Sequence, residues 1–165
     1  MAPTPLNETR RYINPEVTVT YWLESVTSLS APTRDEIDAM SSVDLTGEIA
    51  DMTGWEVAAD RVAVPDLGSK KTGRITGRVN PGDAQIAFYA DETTADVRDV
   101  LSRGDKGFIL IADGGDVEGQ KARLFEVEVS AITPTVDVGG TEASRIMVDF
   151  SISDWAEEIT LPGES

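Results

Sequence analysis

Paired carboxylates are the side chains of this sequence that could perform acid–base chemistry, as in Asp113 with Asp116 and Glu126 with Glu128. Two suitably spaced carboxyl groups can act as a general acid and a general base. The chain has 30 acidic residues, however, so such pairs arise by chance along its whole length. Nothing around these pairs predicts the burial that would tune a carboxyl pKa. We therefore interpret both pairs as surface carboxylates.

Two turn-rich segments resemble ligand loops without matching their spacing. DGGDVEG at 113–119 offers several carboxylate oxygens on a tight turn, but it lacks the spacing of an EF-hand, and we interpret it as a solvated turn. GSKKTGR at 68–74 lacks the G-x-x-x-x-G-K-[ST] order of a phosphate loop. The absence of His and Cys removes the usual base of catalytic triads and the commonest metal ligands. The sequence predicts no enzyme activity, no cofactor and no metal site.

The charge balance restricts the possible partners. The chain has 165 residues, a hydrophobic fraction of 40% and a formal net charge of −16. Such a surface repels nucleic acid and acidic membranes, so a sequence-reading DNA-binding protein is not expected. Residues 1–11 lack the apolar core of a signal peptide, and no apolar run approaches membrane-spanning length. These features predict a soluble protein of one domain that acts where it is made.

Alternating apolar residues predict a chain made mainly of strands. The strongest alternation covers 146–153, and an unbroken apolar run at 108–111 predicts a buried strand. Further extended segments are predicted at 17–23, 43–52, 55–64, 85–89 and 124–132. Several strands at short spacing favour an antiparallel β-sandwich or barrel with long extended loops. We place an extended arm at 1–15, the domain at 16–156 and a frayed acidic tail at 157–165.

One segment, at about 93–103, has helical rather than strand periodicity. It begins with two threonines that could cap a helix, and Gly104 could end it. Val97, Val100 and Leu101 fall at i, i+3 and i+4 and form one narrow apolar stripe. A helix of about eleven residues is marginal alone in water, so we expect this stripe to pack on the strands.

Two predicted strands carry polar side chains opposite their apolar faces. Glu126 and Glu128 alternate with apolar residues in one strand, and Asp149 and Ser151 do so in the other. If these strands are neighbours, one side of a sheet is acidic and rich in hydroxyl groups. The alternative is ordinary solvent exposure of one face of an antiparallel sheet.

A basic cluster interrupts the acidic chain within Pro65 to Gly77, which we predict to be a long exposed loop. The cluster consists of Lys70, Lys71 and Arg74, and Arg78 lies just beyond the loop. In a chain that is otherwise acidic, the most available partner for such a loop is an acidic patch on a second copy of the same chain.

The order of these segments resembles that of the major tail tube proteins of long-tailed, non-contractile (siphovirus-type) bacteriophages. The resemblance runs from about 43 to 154, and the order of the segments matters more than any one motif. It rests on VDLTGEI at 43–49, DRVAVPDLGSKKTGRITGRVNPGDAQIAFYA at 60–90, TTADVRDVLSRGD at 93–105, GFILIADGG at 107–115 and FEVEVSAITPT at 125–135.

This resemblance implies a structural virion protein, a β-sandwich with one flanking helix that self-assembles into stacked hexameric rings. The rings would form a tube whose negatively charged lumen conducts viral DNA into the host without sequence-specific binding. The candidate residues of the lumen wall are Glu126, Glu128, Asp149 and Ser151. A long loop would reach a neighbouring subunit or ring, and its candidate contact residues are Asp66, Lys70, Lys71, Arg74 and Arg78.

The resemblance also implies partners and a location. The protein partners would be further copies of the chain and the tape-measure, tail terminator and distal tail proteins, with no membrane. The protein would be assembled in the bacterial host cytoplasm and reside in the tail of the virion. The alternatives are the related tube of a contractile tail or type VI secretion system, a tail terminator or head-decoration protein, and a small β-sandwich binding module or hydrolase.

Overall fold

Strands account for most of the secondary structure. The computed structural model describes residues 2–6, 9, 11–93 and 96–163. Within these ranges the α-helical structure is one short helix, α1 (Arg34–Ile37), and 3-10 turns cover Pro15–Val17, Thr46–Glu48 and Val97–Asp99. The strands are β1 (Val19–Leu23), β2 (Val43–Asp44), β3 (Ile49–Thr53), β4 (Val57–Val64), β5 (Gly73–Pro81), β6 (Ala84–Tyr89), β7 (Lys106–Ala112), β8 (Lys121–Thr135) and β9 (Arg145–Thr160).

Seven strands form one antiparallel sheet in the order β2-β1-β7-β8-β9-β6-β3, while β4 and β5 form a separate two-stranded sheet. The large sheet curls into a half-barrel. Its two longest strands, β8 and β9, pair over most of their length with three shifts of register, which are the bulges expected where a sheet bends strongly. The mainly β, antiparallel fold predicted from the alternation is confirmed.

Each face of the large sheet carries its own apolar cluster. The core face holds the larger cluster, which includes Phe125, Val127 and Val148 and is completed by Trp22 and Trp55. The opposite face holds a smaller cluster near the start of β8 and the end of β9, formed by Leu23, Ile37, Leu110, Ala112, Ala122, Leu124, Ile159 and Leu161. Because successive side chains of a strand point to opposite faces, β8 contributes alternate residues to both clusters.

The prediction of a helix at about 93–103 is wrong for the residues that the structure describes. Thr94 and Ala95 lie outside those residues, and the chain after them makes a single 3-10 turn, Val97–Asp99. Asp96 begins this turn, since its backbone is extended (φ −130°, ψ −169°) and its carboxylate accepts from the backbone N–H of Arg98. The turn does not continue as a helix, because the N–H of Ser102 donates to the carboxylate of Asp105 over 2.9 Å. A side chain that binds the local backbone in this way competes with helical hydrogen bonds.

The loop predicted at 65–77 is instead the outer part of a β-hairpin. Strands β4 and β5 pair from Val57 opposite Pro81 to Val64 opposite Gly73, which leaves only 65–72 as the connecting loop. The glycines at 73 and 77 are typical of a loop, and they obscured the alternation of polar and apolar residues within β5.

The prediction of a frayed tail from Glu157 onward is also wrong, because the chain is ordered and packed up to residue 161. Strand β9 continues to Thr160, and both Ile159 and Leu161 are buried in the smaller cluster. Leu161 exchanges backbone hydrogen bonds with the turn before β8, donating to the carbonyl of Gln120 and accepting from the N–H of Gly119. In the predicted arm at 1–15, the described residues are all exposed.

Candidate functional site

The four predicted wall residues lie on the face opposite the larger apolar cluster, in two neighbouring strands. Glu126 and Glu128 come from β8, and Asp149 and Ser151 come from β9. Glu128 pairs with Ser151 on one side and with Lys106 of β7 on the other. We call this strip across β6, β9, β8 and β7 the polar face, and its members are Gln85, Lys106, Glu126, Glu128, Asp149, Ser151 and Asp154.

Hydrogen bonds between strands fix several polar groups of this face. The amide of Gln85 donates from Nε2 to Oδ1 of Asp149 over 2.7 Å, and the hydroxyl groups of Ser130 and Ser151 share a hydrogen bond. Ser153 Oγ donates to the carbonyl of Glu126 over 3.3 Å. These contacts use neutral donors, so they orient the face without cancelling its negative charge.

The polar face contains a pair of like charges that alternation alone did not predict. Glu126 of β8 lies directly opposite Asp154 of β9, and both side chains are exposed. Like charges directly opposite each other in a sheet are destabilising. Within the described chain, the ion pairs of the structure involve none of Glu126, Glu128, Asp149 and Asp154. The polar face therefore carries four carboxylates against the one ammonium group of Lys106, and it remains acidic.

The β4–β5 hairpin has two chemically different faces. One face carries apolar side chains that are 47–60% exposed, those of Val62, Val64 and Ile75. The other carries Arg74 and Arg61, which lies opposite Thr76 and was not predicted as part of the site, and Val79 joins them because the register shifts by one residue at Gly77 and Arg78. Arg61 could have been found by extending the alternation of β4 across the pair. Lys70, Lys71 and Asp66 lie in the connecting loop, where Asp66 Oδ1 accepts from the N–H of Gly68 over 2.8 Å.

The base of the hairpin is fixed to the core of the large sheet. The Trp55 ring lies 5.2 Å from that of Phe125 and 5.5 Å from that of Phe150, and its Nε1 donates to the carbonyl of Gln85 over 3.3 Å. Gly54 has a φ of +77°, and a Cβ there would lie 1.8 Å from the carbonyl oxygen of Asp83. Only glycine fits this position, so the direction in which the hairpin leaves the sheet is fixed locally.

The turn at 113–119 uses its carboxylates within the chain. Asp116 accepts two hydrogen bonds from Arg34 Nη1, over 2.9 and 3.0 Å, and one from the Tyr21 hydroxyl over 3.2 Å. Burial, together with the charge of Asp116, raises the pKa of Tyr21 to about 12. Asp113 pairs with Arg123 over 3.2 Å. This arrangement holds α1, β1 and the turn together, and it gives both aspartates a structural role.

The three residues predicted to pack from a helix are divided by the structure. Val97 and Leu101 are buried in the larger cluster, whereas Val100 is 38% exposed. The turn that carries them is held by Asp96, whose carboxylate accepts from Arg98 Nε over 3.0 Å and from Arg98 Nη2 over 2.6 Å. These hydrogen bonds from Arg98 lower the pKa of Asp96 to about 2 against the opposing effect of burial.

The residues that the structure describes contain neither a membrane-spanning helix nor a cluster of metal ligands. No helix in them has both the length and the apolar character needed to span a membrane. In the same residues, no group of three or more acidic, His or Cys side chains is arranged to hold a metal ion.

A model of the family described as "Phage tail tube protein" matches residues 7–162. This chain belongs to the phage tail tube protein family. It is therefore a structural component of a bacteriophage tail. No curated protein sequence matches this tail tube protein significantly.

Solved structures share the fold of this tail tube protein at low sequence identity. A chain from the sheath–tube complex of the PVC extracellular contractile injection system in its extended state has a TM-score of 0.60 and 10% identity, with 92% of this chain and 94% of that chain covered. A chain from the structure of the PVC sheath/tube terminator in its extended state gives 0.56 and 10%, covering 94% of this chain and 98% of that chain. A chain of the anti-feeding prophage baseplate gives 0.54 and 11%, covering 97% and 99%.

Proposed function

We propose that this tail tube protein assembles into hexameric rings and that the rings stack into the tube of a non-contractile tail. In this tube the polar face lines the lumen through which viral DNA enters the host. The observation that carries the proposal is the net acidic strip across β6, β9, β8 and β7, with Glu126 directly opposite Asp154. A sheet keeps such a strip at a cost in stability, so a need for that charge is the simplest reason for its presence.

The physical need is a wall that does not hold DNA. A duplex carries one negative charge per about 1.7 Å, and basic groups on a wall would bind it by displacing its counterions. Carboxylates repel the phosphates over a range of about 8 Å at physiological ionic strength. Lys106 is the one basic member of the polar face, and it lies next to Glu128 in the register, so the face as a whole stays negative. DNA can then slide along the wall without being trapped.

The hairpin supplies the second part of the proposal, which is contact between copies. Its apolar face is exposed in the single chain, and its other face and loop concentrate positive charge on an acidic protein. A second copy of the chain is the partner that satisfies both features. The tape-measure, tail terminator and distal tail proteins are the further partners of the tube, and its assembly takes place in the host cytoplasm before the tail joins the virion.

Charge reversal on the polar face tests the lumen assignment. We expect Glu126→Lys with Glu128→Lys to leave the fold intact, because both side chains are exposed, and to produce tubes that retain duplex DNA at low salt. The matched control is Glu16→Lys with Glu48→Lys, which makes the same change of net charge at exposed positions outside the polar face. Retention is measured by cosedimentation of labelled duplex with tubes that have been verified by electron microscopy.

Three outcomes would contradict the proposal. Wild-type protein that stays monomeric at high concentration would remove the tube. Tubes of the double variant that release DNA as readily as wild-type tubes would remove the role of these carboxylates. A tube structure with Glu126 and Glu128 on its outer wall would reverse the assignment of the two faces.

A further inference from the structure

The hairpin and the loop between β8 and β9 lie at opposite ends of the large sheet. The hairpin leaves near the start of β8, where Arg123 Nη1 donates to the carbonyl of Trp55 over 3.4 Å. The loop at 136–144 lies where β8 ends and β9 begins, and its Ser144 carbonyl accepts from the N–H of Ala90 over 3.0 Å. A contact between these two regions of different copies would join the copies end to end.

Both regions expose apolar side chains that the single chain leaves uncovered. The hairpin offers one face of a two-stranded ribbon, a structure that is marginal in water without something to pack against. The loop at 136–144 offers Val136 and Val138, which are 73% and 97% exposed. Contiguous exposed apolar groups of this kind are typical of interaction sites.

The two regions also carry opposite charges. The hairpin at 57–81 has five Lys and Arg residues against two Asp residues. The loop at 136–144 has Asp137 and Glu142, of which Glu142 pairs with Arg145 of β9 over 3.5 Å. The adjoining segment at 91–99 adds the exposed Asp91, Glu92 and Asp99, whereas its Asp96 is buried and paired with Arg98. Complementary charge of this kind favours an encounter in one orientation and fixes the register of the contact.

The loop is held in a defined shape before any partner arrives. The Asp137 carboxylate accepts from the N–H groups of Gly139, Thr141 and Glu142 over 3.0–3.1 Å and from the Thr141 hydroxyl over 2.7 Å. These hydrogen bonds, chiefly that from Thr141, hold the pKa of Asp137 below its ordinary value. A loop organised in this way loses less conformational entropy on binding than a flexible one.

We infer that the apolar face of the hairpin docks on the loop at 136–144 of a second copy of this chain. The inference rests on the proposed function and specifies which surfaces meet when rings stack. The contact is heterologous, because each copy gives its hairpin at one end and its loop at the other, and such contacts repeat without limit along an axis. The basic face of the hairpin and Lys70 and Lys71 then lie near the acidic segment at 91–99 of the receiving copy.

Cysteine cross-linking tests this contact directly, because the chain has no cysteine of its own. Three single cysteine variants on the apolar face, at Val62, Val64 and Ile75, are each mixed with Val138→Cys, allowed to assemble and oxidised. We expect at least one mixture to give a cross-linked heterodimer, and the corresponding double-cysteine chain to give a ladder of covalent multimers. The matched controls are Thr76→Cys, on the other hairpin face, with Val138→Cys, and Ile75→Cys with Val117→Cys at the end of the sheet opposite the loop.

Electron microscopy of the same samples separates the two ideas. Tubes in which none of the three apolar-face cysteines cross-links to Val138→Cys above the Thr76→Cys control would overturn the inference and leave the tube intact. A wild-type protein that forms no rings or tubes would overturn the proposed function and this inference with it. As a second measurement, Ile75→Asp should lower the yield of stacked rings severalfold more than Thr76→Asp does. Equal effects of the two changes would contradict docking through the apolar face.

Discussion

Strands β8 and β5 are both long antiparallel strands, but they bury very different shares of their side chains. In β8, the neighbours Leu124 and Phe125 point to opposite faces and are both buried, because an apolar cluster covers each face of the large sheet at that point. In β5, Ile75 and Val79 remain largely exposed, because the hairpin contacts the rest of the described chain only sparsely. The sheet forms its core within one chain, whereas the apolar side chains of the hairpin remain exposed in the single chain.

This difference indicates which region determines the stability of the single chain and which determines the association of chains. Fully burying a Val or Ile side chain stabilises by about 1.5–3 kcal/mol, so the exposed apolar face of the hairpin holds a large unused contribution. Part of that contribution is consumed when the partners lose translational and rotational freedom. The comparison predicts that changes in the sheet alter the unfolding of the single chain, while changes in the hairpin alter the association of chains.

The largest expected effect is that of Phe125→Ala. The ring is buried and packs edge-on against Trp55, so its removal should lower the free energy of unfolding of the single chain by about 3–5 kcal/mol. The paired change Ile75→Ala should stay within about 0.5 kcal/mol of wild type, as expected for an exposed site, and should raise the concentration needed for tubes. Chemical denaturation of dilute protein gives the first quantity, and sedimentation gives the second. Equal losses of stability would show that the hairpin is already packed in the single chain.

A somewhat smaller effect is expected for Leu101→Ala, which tests whether the turn after Asp96 belongs to the sheet's core. Leu101 is buried in the larger cluster, so truncation should lower the free energy of unfolding by about 2–5 kcal/mol. Val100→Ala is the control, since Val100 is partly exposed and should change that energy by less than about 0.5 kcal/mol. Similar small losses for both variants would place this segment with the hairpin, as a surface completed only by a partner.

The polar face was predictable from sequence because a strand offers only two faces. Once Val127 and Val148 point to the core, the period of two places Glu126, Glu128 and Asp149 on the opposite side. The pairing of Glu126 with Asp154 was not predictable, because it depends on a bulge that shifts the register of β9 by one residue. Alternation gives the face of a residue, but the neighbours across strands require the register.

The helix and the hairpin were mispredicted for opposite local reasons. Val97 and Leu101 have helical spacing and are both buried, but no helix continues beyond them, because the N–H of Ser102 donates to the Asp105 carboxylate. In the hairpin, glycines at 73 and 77 indicated a loop, although the residues between them alternate as a strand requires. If a second copy covers this strand, as we propose, the sequence of one chain gives no signal for the surface that does so.

Acid should destabilise the sheet's core through protonation of Asp96, and we expect no equivalent effect in the hairpin. Hydrogen bonds from Arg98 lower the pKa of this buried carboxyl to about 2, below its ordinary value of 3.8. The folded chain therefore binds fewer protons here than the unfolded chain, so the stabilisation is present above about pH 4 and is lost as the pH falls towards 2. Denaturation midpoints between pH 5 and 2 should fall less steeply for Asp96→Asn than for wild type.

The control for this pH effect is Asp99→Asn, which changes the net charge equally on an exposed residue of the same turn. It should keep the wild-type dependence of the midpoint on pH. If Asp96→Asn kept that dependence as well, the acid sensitivity of the sheet would have to arise at other carboxylates.

The smallest effect on folding, and the most specific to the hairpin, is expected when Lys70, Lys71 and Arg74 are all replaced by Ala. All three side chains are exposed, and an exposed ion pair contributes about 0–1 kcal/mol, so the unfolding of the single chain should hardly change. If these charges act between copies, the variant should form fewer tubes at low salt, and the deficit should shrink at high salt because screening already weakens the wild-type contact. A charge-preserving variant, Lys70→Arg with Lys71→Arg and Arg74→Lys, should assemble as wild type does. Unchanged yields of the Ala variant at both salt concentrations would remove the electrostatic part of the contact and leave the apolar face of the hairpin to hold the copies together.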